Sequence, residues 1–94
     1  MPRTYKIQSR PEALDGGWRL IFFLDGQEVG GGIFPLPQDD PKSGMAWWND
    51  LTEERRAHWL MMSASAMPAA ARHAYLLAEA YNVAIDRGEL WANS

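Results

Sequence analysis

The chain has 94 residues, no cysteine, five tryptophans and a net charge of −3 from 9 basic and 12 acidic side chains. That length predicts one domain spanning 1–94, burying roughly 64% of its extended surface on folding, enough for one modest core. Without cysteine there is no disulfide framework, zinc ribbon or thiol nucleophile, and no need of an oxidising compartment.

The opening residues 1–7 (MPRTYKI) hold no apolar h-region, and no apolar stretch approaches the ~20 residues of a membrane span. The expectation is a soluble, cytoplasmic protein with no membrane partner. Charge is uneven along the chain. Residues 1–24 carry four basic and two acidic groups, residues 25–50 one and five, and residues 51–94 four and five. An acidic chain suits duplex DNA poorly, because neutralised phosphates supply most of that affinity. A basic patch near Arg3, Lys6, Arg10 and Arg19 is the exception, and a solvated face is its plainer reading.

Residues 4–34 read as a sheet. Tyr5 and Ile7 alternate with Thr4, Lys6 and Gln8, a half-buried strand. Turn residues fill 10–17. The run from Trp18 to Leu24 is the strongest strand, and Asp25-Gly26 then predicts a type I′ hairpin, which needs positive φ at both central residues. A two-residue turn sets Leu24 opposite Gln27, Phe22 opposite Val29, Leu20 opposite Gly31 and Trp18 opposite Ile33. Trp18, Leu20, Phe22, Leu24, Val29 and Ile33 then share a core face. Ile21, Phe23 and Phe34 fall on the other face, so that face is either covered or left open for a partner.

Residues 35–50 read as a Pro/Asp-rich connection, with three prolines favouring an extended path over 35–44. Residues 51–88 read as helical. Leu51, Arg55, His58, Trp59, Met62 and Ala66 lie on one helix face, with Asp50 or Thr52 as cap and Glu53 and Glu54 in the first turn. A break is predicted over 64–67, and a second helix from Pro68. That helix buries Ala74, Leu77, Ala78, Tyr81, Ala84 and Ile85 and exposes Arg72, Glu79, Asn82 and Asp86. Gly88 is a natural C′ residue, predicting a stop near Arg87 and a tail over 89–94 whose Leu90 and Trp91 fold back. The fold class is α+β: a three-stranded antiparallel β-meander followed by two α-helices packed on one face.

Little in the chain reads as catalytic. Gly30, Gly31 and Gly32 invite a phosphate-loop reading, but no helix follows them, so a flat or bulged strand is the better one. His58 and His73 have no metal-ligand spacing, even with Asp39 and Asp40 in reach, and no metal or cofactor is expected. Ser63 and Ser65 sit near His58 in sequence without any nucleophile elbow. Glu53 and Glu54 beside Arg55 and Arg56 read as a solvated helix end. The expectation is that the protein is not an enzyme.

The tryptophans carry the functional reading. Trp18 and Trp59 fit core faces. Trp47 and Trp48 are adjacent, and adjacent residues point different ways in a helix or a strand. Either they clamp the connection onto the sheet, or one faces a partner, since Trp is enriched at interface hot spots. Trp47, Trp48, Phe23 and Phe34 are therefore the partner-binding candidates. These rings would suit base stacking, but Glu28, Asp39, Asp40 and Asp50 give the wrong charge for nucleic acid and favour a basic protein partner, or self-association.

Residues 47–60 (WWNDLTEERRAHWL), 65–70 (SAMPAA) and 80–91 (AYNVAIDRGELW) together resemble short uncharacterised proteins of bacterial plasmids and other mobile elements. The resemblance covers the C-terminal half. It implies a bacterial, cytoplasmic setting and an accessory role on a mobile element, and it carries over no activity and no site residues. The expected function is a small non-enzymatic protein-interaction or accessory module. The alternative is a nucleic-acid-associated accessory protein of a mobile element.

Overall fold

The structure is a computed structural model that describes residues 2–37 and 39–94. Three strands, β1 (Arg3–Ser9), β2 (Trp18–Leu24) and β3 (Gln27–Phe34), precede three helices, α1 (Pro41–Asp50), α2 (Glu53–Ser63) and α3 (Pro68–Ala92). The chain forms two compact units: a sheet unit, Met1–Leu36 with Glu79–Ser94, and a helical unit, Pro37–Ala78. The α+β class and the antiparallel meander, in strand order β1-β2-β3, are as expected. Among the described residues the α-helices number three rather than two.

In the sheet unit, β1 alternates half-buried Arg3, Tyr5 and Ile7 with exposed Thr4, Lys6 and Gln8. Asp25 and Gly26 both take positive φ, 52° and 80°, as a type I′ turn requires. The expected register holds for two pairs, Leu24 with Gln27 and Phe23 with Glu28. Val29 is then an extra residue, and Phe22 pairs with Gly30, Leu20 with Gly32 and Trp18 with Phe34. Because side chains alternate with period two, this bulge reverses the expected faces beyond it. Ile33, expected on the core face, pairs with Arg19 and is 59% exposed. Phe34, expected beside Phe23, shares the face of Trp18. Val29, also expected in the core, is exposed. The glycine run makes this register possible: a Cβ at Gly31 would stand 2.0 Å from the Leu20 carbonyl oxygen.

The final part of α3 covers the Trp18 face. Tyr81 meets Trp18 edge-on at 4.7 Å, and Trp91 stacks on Phe22 at 5.0 Å. The helix does not stop at Arg87 but continues through Gly88 to Ala92. A mid-helix glycine costs about 1 kcal/mol against alanine. Here the ring of Tyr5 takes the space, since a Cβ at Gly88 would lie 2.5 Å from it. Tertiary packing thus overrides the C′ preference, and residues 89–92 are helix rather than tail. Trp91 does dock: its indole Nε1–H is shared between the carbonyls of Thr4 and Phe23 at 3.0 and 3.3 Å, with the Arg3 guanidinium 4.6 Å over the ring. Leu90, expected to fold back with it, is exposed. The Tyr5 hydroxyl donates to Glu89 Oε1 at 2.7 Å. That bond, with burial and the nearby carboxylate charge, holds the phenol above its usual pKa. Leu20 and Ala84 are fully buried in this unit, and Ile21, on the opposite face of β2, is buried with 7% exposure.

In the helical unit, residues 41–50 form α1 instead of a loop. Asp40 is its N-cap, accepting the Ser43 N–H at 2.8 Å, and Pro41 takes the first helical position, where a missing N–H costs nothing. Thr52 caps α2, accepting the Arg55 N–H. Ala64 ends α2 in the left-handed region, φ 52°. The inward face of α2 carries Arg56, Trp59, Leu60 and Ser63, all half-buried, while Arg55, His58 and Met62 of the expected stripe are exposed. On α3, Ala74, Leu77 and Ala78 are half-buried as expected. Ala71 is the fully buried apolar residue of this unit among the described residues.

Candidate interaction surface

The helical unit is organised by aromatic rings. Trp47 on α1 lies 4.9 Å from Tyr75 on α3 and 6.5 Å from Trp59 on α2, and Trp59 meets Tyr75 at right angles, 5.4 Å away. Such tilted and edge-on pairs suit the ring quadrupoles. Trp47 is therefore half-buried and structural in setting. His58 is exposed, its ring edge-on to Trp59 at 4.8 Å. His73 is exposed on α3. Among the described residues no cluster of His, Asp and Glu could hold a metal ion.

Trp48 is placed differently. Its backbone carbonyl is bonded by Arg56 Nε at 3.1 Å, and Arg56 Nη2 reaches the Asn49 carbonyl at 3.3 Å. Arg56 thus satisfies the end carbonyls of α1, where the helix dipole favours a cation. The same guanidinium lies 5.4 Å over the Trp48 ring. Beside Trp48 runs a groove of about 520 Å³, its walls from α1, the start of α3 and the Asp39-Asp40 segment. Met45, Trp48, Pro41, Pro68 and Ala69 give it an apolar lining; Asp39, Asp40, Asn49 and Arg72 supply the polar groups. An apolar hollow with a few convergent polar groups is the general form of a binding site.

The polar groups are ordered. Arg72 donates through Nε and Nη2 to the two oxygens of Asp39, at 3.0 and 3.2 Å, in the forked geometry arginine favours. Its guanidinium also lies 5.4 and 5.5 Å over Trp47 and Tyr75. The Arg72 hydrogen bonds, helped by its charge, hold the Asp39 carboxyl below the usual range against the opposing pull of burial. Asp40 is engaged locally, its second oxygen with the Ser43 hydroxyl at 3.2 Å.

Among the four candidates, Trp47 and Trp48 belong to the helical unit, and Phe23 and Phe34 to the sheet unit on opposite faces of the sheet. Phe23 is half-buried, and its carbonyl receives the Trp91 bond. The ring of Phe34 lies over Gly32, where a Cβ would come within 3.5 Å. The sequence reading missed Met45, because α1 was not recognised, and missed the pairing of Arg72 with Asp39. Asp40-Pro41 was the signal for the first. The second joins residues 33 positions apart and leaves no local signature.

No helix among the described residues is long and apolar enough to cross a membrane. Compared with known proteins, the chain matches no protein-family model, no curated protein and no solved structure.

Proposed function

We propose that the chain is a small, non-enzymatic interaction module that binds a protein partner, or a second copy of itself, through the helical unit around Trp48. Exposed apolar side chains carry this reading. Met45, Met61, Met62 and Met67 are exposed by 69, 73, 59 and 63%, in a unit whose fully buried apolar residue is an alanine. Methionine is unbranched and polarisable, and it suits surfaces that adapt to a partner. In this reading the module works in a bacterial cytoplasm as an accessory to a mobile element.

The nucleic-acid alternative has less support. Three of the four basic residues before residue 25 are engaged: Arg3 on Trp91, Arg10 with the Gly16 carbonyl and Arg19 with Glu28. The test is capture from bacterial lysate with mass spectrometry, beside light scattering of the purified chain. A specific partner, or a dimer, lost in Trp48→Ala is the expected result. A strict monomer that captures nothing specific would overturn the reading. Salt-dependent quenching of Trp emission by single-stranded oligonucleotide would favour the alternative.

A further inference from the structure

We infer that the groove beside Trp48 takes a cationic side chain of a protein partner, a lysine or arginine flanked by apolar residues. The inference rests on the interaction-module reading and names the partner's chemistry.

The groove is lined by apolar side chains together with two carboxylates. Trp48, Met45 and Pro68 offer surface to an aliphatic stem, and Asp39 and Asp40 offer carboxylates to its head. Lysine and arginine have that shape: an apolar stem ending in a charge. Each carboxylate oxygen accepts more than one hydrogen bond. Asp39 gives an acceptor site on each oxygen to Arg72 and accepts the Asp40 backbone N–H besides, whereas Asp40 gives one per oxygen to Ser43. Asp40 is therefore the carboxylate with more acceptor capacity left for a partner.

The Trp48 ring already draws the Arg56 guanidinium in this structure, as an indole face attracts cations. An anion would fare worse. Arg72, the cation among the described lining residues, has its Nε and Nη2 committed to Asp39 and its side chain 18% exposed, and Arg56 over the Trp48 ring bonds the Trp48 and Asn49 carbonyls. A carboxylate or phosphate would have to displace Asp39 and then face Asp40. Within the same unit, residues 37–50 carry three acidic groups against one basic.

The test uses the full chain and two blocked tripeptides, Leu-Lys-Leu and Leu-Glu-Leu, followed by NMR at the Trp48 indole N–H and the Met45 methyl. At low salt the lysine peptide is expected to bind about fivefold tighter, the scale of one partly exposed ion pair, with the contrast shrinking as salt is added. Asp40→Asn keeps the helix cap, since asparagine caps as well as aspartate, and should narrow the preference. Equal or reversed preference, or shifts that bypass Trp48 and Met45, would overturn the inference. So would displacement of the lysine peptide by oligothymidine. If lysate capture depends on Trp48 while both peptides bind alike, the interaction module stands and the cationic occupant falls.

Discussion

The two compact units solve the same problem, ordering a short chain, by different means. The sheet unit relies on backbone pairing. Its central strand has a partner on each side and buries Leu20 and Ile21, and its outlying tryptophan, Trp91, is fixed by hydrogen bonds to two carbonyls. The helical unit relies on rings. Trp47, Trp59 and Tyr75 meet one another, and Met45, Met61, Met62 and Met67 are exposed. Ring contacts are strong per residue but leave much aliphatic surface uncovered. Both units keep apolar side chains at the surface, Val29, Ile33 and Leu90 in the one and four methionines in the other, so they differ in how they are held, by strand pairing or by rings, and not in how fully they cover their apolar residues.

The difference can be broken by substitution. Trp47→Ala removes the ring that touches both other members of the cluster. A loss of about 3 kcal/mol is expected, and hydrogen exchange should accelerate over 41–78 far more than in β2. Uniform acceleration across both units would show that they do not differ in this way. Gly88→Ala tests the sheet unit. On propensity alone it should stabilise by about 1 kcal/mol. The clash with Tyr5 should instead destabilise by about 2 kcal/mol, read from denaturant unfolding. The smallest effect concerns Asp39. Its folded pKa is depressed, so its pairing with Arg72 stabilises above the unfolded pKa and is lost as pH falls through the folded value. Carboxyl NMR should find Asp39 titrating below the ordinary aspartate range, and Arg72→Gln should return it there. An unchanged titration in that variant would mean the pair is not the cause.

Legibility in sequence follows the same division. The hairpin was readable because Asp25-Gly26 is a local signal with one geometric solution. The bulge was not, because it depends on how closely β3 can approach Leu20, although the glycines that permit it were in plain view. The start of α1 was signalled by Asp40 and Pro41, but three prolines in seven residues outweighed that signal in favour of a loop. Gly88 misled for the opposite reason: a reliable local rule gave way to the ring of Tyr5, 83 positions earlier in the chain. At Trp47 and Trp48, adjacency indicated that the two would diverge, and they do, one into the ring cluster and one to the groove. Which of them would do which needed the partners of α1, and those lie on α2 and α3.

The docking of Trp91 has a consequence for synthesis. Its indole reaches carbonyls 87 and 68 positions back along the chain. At about 5–20 residues per second, a ribosome that has finished Phe34, the end of the hairpin, needs roughly 3–11 s more to reach that tryptophan. Through that interval the hairpin and its apolar rings are made but uncovered. The nascent sheet is then open to chaperones, or to a neighbour's strands, until the final turns of α3 arrive to close it.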